Sequence, residues 1–244
     1  MITNRAKKEA VMKLIGLIGG MSWESTQTYY RLINEGVKAE LGGLHSAKLV
    51  LYSVDFAEIE SLQHQGNWPA TAEILMNAAQ ALERAGADFI LICTNTMHKV
   101  AEQVQQAISI PLLHIADATA RVLNNDKIKR VGLLGTRFTM EQTFYRERLE
   151  HQGIQAIIPN EVQRERVHAV IYNELCLGKI NNESKQDYLE IVRSLKDQGA
   201  EGVILGCTEI GLLIQRSDTD VTIYDTTEIH AQEAVNVALN HLKD

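Results

Sequence analysis

The chain has 244 residues, of which 45% are apolar and 23% charged, and it carries a formal net charge of −7 at pH 7. These values are typical of an ordinary soluble globular protein, and an acidic chain offers no basic stripe for a nucleic-acid backbone or an anionic membrane surface. Three cysteines favour free thiols in a reducing compartment over a disulfide framework, so we predict a cytoplasmic location.

Residues 1–11 are polar and basic and lack the apolar stretch of a secretory signal. We interpret them as a flexible leader and begin the folded part of the chain at Met12. The longest apolar runs, such as residues 14–18, are too short to cross a bilayer, so no membrane association is expected.

Eight apolar runs of strand length alternate with stretches of helical length. The predicted strands are residues 13–18, 47–54, 89–92, 112–115, 130–134, 154–158, 202–205 and 221–224. The predicted helices include residues 25–41, 71–84, 140–152, 161–177 and 183–198. This alternation is typical of βαβ units and predicts an α/β protein with parallel sheets.

One short pattern occurs in both halves of the chain and indicates an internal duplication. A turn at Gly86 is followed by a buried strand and Thr94, and a turn at Gly199 leads at the same spacing to Cys207. Two further pairs of segments match in the same order, residues 16–20 with 132–136 and residues 111–117 with 221–225. We therefore predict two pseudo-symmetric domains, each a parallel sheet flanked by helices, with a cleft between them. The first comprises residues 12–112 and a C-terminal helix at 226–244, and the second comprises residues 113–225.

Ligands of parallel sheets bind beyond the carboxyl ends of the strands, and Thr94 and Cys207 each follow a predicted strand. Cys207 precedes a candidate helix start, where backbone N–H groups favour a thiolate. Thr94 is the matching residue of the first half, although its hydroxyl is a much poorer proton acceptor. Because strand side chains alternate between faces, Cys93 is expected in the core, and Cys176 is interpreted as a packing residue.

Several small polar residues near these strand ends are candidate substrate contacts as well as candidate helix caps. They are Ser22 beside Met21, Asn95, Thr96, Thr136, Thr139 and Thr208, together with Gln63 from a polar segment predicted to fold over the cleft. The sequence leaves open whether His98 orients the cleft or only packs. The remaining histidines have no metal-ligand spacing, so no metal is expected.

Four motifs together resemble the aspartate/glutamate racemase family, and the resemblance runs from Met12 to the end of the chain. They are Gly-Gly-Met-Ser at 19–22, Cys-Thr-Asn-Thr-Met-His at 93–98, Gly-Thr at 135–136 and Gly-Cys-Thr-Glu at 206–209. The resemblance implies two pseudo-symmetric α/β domains, no cofactor, a homodimer, and two cysteines that flank the Cα of an amino-acid substrate. Met21 and Ser22 enter the predicted substrate site with the first motif.

The chain departs from the family at one of the two cysteine positions, where it has Thr94. The sequence predicts an isomerase that racemises aspartate or glutamate slowly, with Cys207 as principal acid and base. Two alternatives remain at this point. The first is a single-cysteine decarboxylase of substituted malonates, and the second is an amino-acid-binding protein without catalysis.

Overall fold

A computed structural model describes residues 12–240, so the leader at 1–11 and the last four residues of the predicted C-terminal helix lie outside the described residues. All eight predicted strands form. The strands are β1 Ile15–Gly19, β2 Leu49–Ser53, β3 Phe89–Ile92, β4 Leu112–Leu113, β5 Arg130–Gly135, β6 Gln155–Ile157, β7 Val203–Gly206 and β8 Ile223–Asp225.

The strands pair in parallel as two four-stranded sheets with equivalent topology. The first sheet has the order β2-β1-β3-β4 and the second has the order β6-β5-β7-β8. We call each sheet with its helices the first and the second lobe. The equal strand orders confirm the predicted fold class, two pseudo-symmetric α/β units.

Helices cover both faces of the two sheets. They are α1 Trp23–Leu41, α2 Phe56–His64, α3 Trp68–Arg84, α4 Ala101–Gln106, α5 Ile115–Asn125, α6 Arg137–Glu141, α7 Thr143–His151, α8 Glu161–Asn173, α9 Asn182–Asp197, α10 Ile210–Leu213 and α11 Thr226–Leu239. Short 3₁₀ turns span Thr96–Val100, Leu175–Leu177 and Arg216–Asp218. No helix within residues 12–240 is long and apolar enough to cross a membrane.

The helix boundaries differ from the prediction at several places: α1 and α3 begin earlier than expected, and the helix expected over 161–177 ends at Asn173. The helix expected over 140–152 is two helices, because Gln142 has an extended backbone (φ −82°, ψ 155°) that separates α6 from α7. In the polar segment expected to fold over the cleft, residues 63–64 end α2 and residues 65–67 form a turn before Trp68. With only nine residues, α2 is too short to show a clear helical repeat of apolar residues, and this explains why it was not predicted.

The central strands of both sheets are buried on their two faces, which accounts for their continuous apolar runs in the sequence, whereas the edge strand β2 is partly exposed. Every residue of β1, β3 and β7 is buried.

The C-terminal helix α11 packs with α1 and the strands β1 and β3 in one apolar cluster of the first lobe. Helix α11 also contacts α5, whose apolar face belongs to the second lobe. We keep the division into residues 12–112 with 226–244 and residues 113–225 as a proposal.

The turn after β1 requires glycine at position 20. Gly20 has φ +93°, and a Cβ there would overlap the carbonyl oxygen of Val54. We expect Gly20→Ala to lower the free energy of unfolding by about 1–3 kcal/mol or more, because positive φ and backbone overlap add. Urea unfolding followed by circular dichroism measures this. The matched control is Gly66→Ala, where φ is +69° but nothing lies near the added methyl group, so a smaller loss is expected. An equal loss in both variants would contradict the proposed overlap.

Candidate active site

The carboxyl ends of the central strands of both lobes meet at one narrow cavity. Thr94 follows β3, Cys207 follows β7, and both side chains line this cavity. The cavity volume is about 30 Å³, which is room for about two water molecules. An amino acid would therefore require the lobes to move apart before it could enter.

The two positions paired by the internal duplication face the same space, as the sequence predicts. Within residues 12–240 the Thr94 hydroxyl has no hydrogen-bond partner, so it is free to meet a ligand. Cys93 is fully buried in the core of the first lobe, and its predicted core position is confirmed. Cys176 packs against the core of the second lobe, as predicted, and it also lines the cavity.

The surroundings of Cys207 favour the protonated thiol. Its Sγ donates a hydrogen bond of 2.9 Å to Oε2 of Glu209. Burial raises the pKa of the Cys207 thiol well above its usual value, and the nearby Glu209 carboxylate raises it further. The surroundings do not favour the thiolate expected at a helix start, because the thiol is buried, an adjacent carboxylate opposes its ionisation, and α10 has only four residues.

Glu209 organises the cavity wall from the second lobe. Its side chain is only 5% exposed. Besides the thiol, Oε2 accepts a hydrogen bond from the Thr208 hydroxyl (2.6 Å), and Oε1 accepts one from the Ser22 hydroxyl of the first lobe (2.7 Å). Three donors thus compensate for the burial of this carboxylate. Glu209 was not among the predicted site residues, although an acidic side chain three residues after the buried strand β7 is a usable signal.

Two amide oxygens on the first-lobe side of the cavity have no partner. The Nδ2 of Asn95 donates to Thr226 (3.0 Å), and the Nε2 of Gln63 donates to the sulfur of Met97 (3.0 Å). These bonds leave Oδ1 of Asn95 and Oε1 of Gln63 buried and unpartnered among the described residues. Since buried acceptors are costly when unpaired, both oxygens are suited to a ligand that brings hydrogen-bond donors.

The other predicted contacts divide into those at the cavity wall and those behind it. Met21, Thr96 and Thr136 line the cavity, and the hydroxyls of Thr96 and Thr136 bond across the lobes at 3.0 Å. Thr139 is fully buried behind Thr136, to which it donates its backbone N–H at 3.3 Å.

Ser22 and Thr208 reach the site through Glu209. Thr208 itself lines a neighbouring cleft. The structure thus brings Ser22, Thr139 and Thr208 near the site without placing them on its wall.

The family model for Asp/Glu/Hydantoin racemase matches residues 18–234, which include every residue of the cavity wall. The chain belongs to this family. The assignment confirms the resemblance seen in the sequence and the prediction of an isomerase.

Three relatives of this racemase-family protein cover nearly its whole length. A solved putative Asp/Glu racemase from Yersinia pestis is 56% identical, covers 93% of this chain and 100% of its own, and has a TM-score of 0.88. A solved aspartate racemase homologue from Pyrococcus horikoshii OT3 is 37% identical, covers 93% of this chain and 99% of its own, and has a TM-score of 0.82. The broad specificity amino-acid racemase RacX of Bacillus subtilis (strain 168) is 24% identical, over 93% of this chain and 98% of its own length.

The rest of the cavity wall in this racemase-family protein is apolar. Its residues were not predicted as substrate contacts. It is formed by Phe56 of the first lobe and by Ile171, Tyr172 and Cys176 of the second lobe. Among the described residues, Glu209 is the one formally charged side chain of the lining. A guanidinium group lies in an adjoining cleft, where Arg137 and Gln63 are both wall residues.

Proposed function

We propose that this protein racemises an amino acid without a cofactor, with Cys207 and Thr94 exchanging a proton with opposite faces of the substrate Cα. The observation that carries the proposal is that the two side chains line one cavity from opposite lobes. A thiol on one face and a hydroxyl on the other supply the two proton-transfer groups that inversion at carbon requires. Contacts between the lobes, Ser22 to Glu209 and Thr96 to Thr136, would close the site over the substrate.

In the proposed reaction, Glu209 is the first proton acceptor, and every proton that is moved is later returned. The Cys207 proton passes to Glu209 along the existing hydrogen bond, and the resulting thiolate removes the Cα proton. The Thr94 hydroxyl then gives its proton to the opposite face of the carbanion. The alkoxide left on Thr94 recovers a proton through solvent, and the Glu209 carboxyl and Cys207 thiol together return the one extra proton they hold.

An ammonium group on the ligand explains the unpartnered acceptors of the cavity. The free oxygens of Asn95 and Gln63 and the charge of Glu209 favour a cationic donor. A positive charge entering this cavity would also lower the pKa of the Cys207 thiol, so substrate binding itself would promote thiolate formation. A substituted malonate has no such donor and brings carboxylates to the same oxygens. This contrast favours an amino acid over the decarboxylase alternative.

We propose acidic amino acids, aspartate or glutamate, as substrates. The names of the Yersinia and Pyrococcus relatives support this choice. Arg137 directly follows the wall residue Thr136 and lines the cleft that shares Gln63 with the cavity. The distal carboxylate would extend toward that guanidinium group, because the cavity itself is lined by apolar side chains at Phe56 and Ile171.

Turnover is expected to be slow and equally efficient in both directions. Two enantiomers have the same free energy in water, so kcat/KM must be equal for the L and D forms whatever the asymmetry of the catalytic pair. The Thr94 hydroxyl is a weaker acid than a thiol, and its alkoxide forms rarely. The replacement of a cysteine by Thr94 would therefore limit the rate without giving the enzyme a direction.

The test is incubation of the protein in deuterated water with both enantiomers of aspartate and glutamate, with alanine and with phenylmalonate. We expect deuterium at Cα and inversion of the acidic amino acids, measured by proton NMR and chiral chromatography. Release of carbon dioxide from phenylmalonate alone would establish the decarboxylase alternative. Saturable amino-acid binding without deuterium incorporation would establish the non-catalytic alternative.

We also propose that the protein is a cytoplasmic homodimer. The edge strand β2 supports the dimer, since Leu51 and Tyr52 are 43% and 41% exposed, and an exposed apolar sheet edge favours association. Light scattering after size-exclusion chromatography measures the mass in solution.

A further inference from the structure

His98 lies one helical turn after Thr94, and both of its ring nitrogens are committed to backbone groups. Its Nδ1 is 2.8 Å from the carbonyl oxygen of Thr94, which can only accept, so Nδ1 carries the proton. Its Nε2 accepts the backbone N–H of Ile115 at 3.3 Å. The imidazole thus connects the backbone of Thr94 to the start of α5, the helix that follows the last strand of the first sheet.

The environment of His98 keeps the ring neutral and fixed. The side chain is 3% exposed and makes edge-to-face contacts with the rings of His114 and His230, at centroid distances of 4.5 and 5.8 Å. Burial lowers the pKa of His98 to about 3, and the neighbouring His230 and Arg148 act in the same direction. His230 is itself held by Tyr29 at 2.8 Å and by the carbonyl of Leu113 at 2.9 Å.

We propose that His98 is a positioning residue that holds the Thr94 hydroxyl over the face of Cα opposite Cys207. The inference rests on the proposed racemisation and extends it to a residue that does not touch the substrate. Thr94 follows the last residue of β3 closely and has no side-chain hydrogen bond of its own among residues 12–240. Its backbone is held by the bond from His98 to its own carbonyl and by the bond from the Ser25 hydroxyl to the preceding Cys93 carbonyl (2.9 Å). Proton transfer is sensitive to such placement, since a displacement of about 1 Å can cost about 10²-fold in rate.

If His98 positions Thr94, its loss affects α-proton exchange and inversion differently, whereas the loss of a merely structural residue would affect both together. For the enantiomer whose Cα–H faces Cys207, thiolate abstraction and return of deuterium give exchange without inversion and without Thr94. Inversion of either enantiomer requires Thr94, and so does exchange from the opposite enantiomer. Loss of positioning should therefore raise the ratio of exchange to inversion for one enantiomer only.

Two substitutions of His98 separate its two hydrogen bonds. An asparagine amide can present an N–H close to the place of Nδ1, so His98→Asn retains a donor for the Thr94 carbonyl. A glutamine is longer and presents its amide near the place of Nε2, so His98→Gln retains a partner for Ile115 instead. We expect the exchange-to-inversion ratio to rise by about 10-fold or more in His98→Gln and to stay within about 3-fold of wild type in His98→Asn.

The control for disruption of the histidine cluster is His114→Asn. His114 contacts the ring of His98 but accepts the backbone N–H of Ala116 at 3.2 Å, a helix cap that asparagine can replace. We expect this variant to keep the wild-type ratio. Thermal unfolding of each variant establishes that it is folded.

Three outcomes decide the proposal. The proposal is supported if the exchange-to-inversion ratio rises in His98→Gln and stays near the wild-type value in His98→Asn. Equal loss of exchange and inversion in folded His98 variants overturns it, because both reactions would then depend on general structure. Wild-type protein that neither exchanges nor inverts any amino acid overturns the proposed function itself, which distinguishes the two failures.

Discussion

Cys207→Ser is expected to lower inversion of both enantiomers, and α-proton exchange from the enantiomer whose Cα–H faces position 207, by at least about 10³-fold, within the range for loss of an acid–base group. Serine preserves the size of the side chain and a donor for the Glu209 carboxylate, now 2.9 Å from the thiol. Its hydroxyl has a far higher pKa than a thiol, so the base that removes the Cα proton is lost. The measurement is the rate of deuterium incorporation at Cα of aspartate and glutamate, followed by NMR.

The matched control for Cys207→Ser is Cys176→Ser, which alters the other cysteine of the cavity wall. No hydrogen bond links Cys176 to Glu209 among the described residues, so this variant is expected to retain most of the exchange. If Cys207→Ser exchanged at the wild-type rate while Cys176→Ser lost activity, the acid–base role would belong to Cys176. Full exchange in both variants would exclude a thiol mechanism.

The main architecture could be predicted from the sequence because parallel strands leave a strong pattern. A strand buried on both faces, such as Phe89–Ile92, appears as a continuous apolar run, and its partner in the second half follows the same Gly-Ala turn. The duplication then relates Thr94 to Cys207 without reference to any relative. Their common cavity follows from the geometry of parallel sheets, whose carboxyl ends meet ligands.

The state of Cys207 could not be predicted in the same way, because it depends on contacts between distant parts of the chain. A strand end before a helix start suggests a thiolate, but burial raises the pKa of the Cys207 thiol and the carboxylate of Glu209 raises it further. Glu209 in turn is held by Ser22, which lies in the other lobe. Periodicity and spacing describe local structure, whereas a buried hydrogen-bond network depends on how the two lobes dock.

The unpartnered oxygens of Asn95 and Gln63 show the same limit. Both residues were predicted as substrate contacts from their polarity and position. Only the three-dimensional structure reveals that each amide nitrogen is already bonded, to Thr226 and to Met97, and that the oxygens of these two lining residues are left without a partner. Which end of an amide meets the ligand decides between an ammonium and a carboxylate, and the sequence carries no information on this choice.

Glu209→Gln is expected to make the Cys207 thiol easier to ionise and nevertheless to slow racemisation. Glutamine keeps the shape of the side chain but removes the negative charge. Burial still raises the pKa of the thiol, but the further increase caused by the carboxylate disappears, so the pKa falls relative to wild type. The midpoint of thiol alkylation by iodoacetamide should therefore move to lower pH. Racemisation should nevertheless fall by about 10²-fold or more, because the thiol has lost its proton acceptor.

This pair of readouts distinguishes a proton acceptor from a group that only suppresses ionisation. If Glu209 acted through its charge alone, the lower thiol pKa of Glu209→Gln would increase the population of thiolate and accelerate racemisation near neutral pH. Ser22→Ala provides the matched control, because it removes the first-lobe donor to Oε1 and leaves the charge and the bond to Cys207 in place. Its alkylation profile should stay close to wild type. Faster racemisation in Glu209→Gln would contradict the transfer of the Cys207 proton to this carboxylate and would leave burial as the dominant control of the thiol.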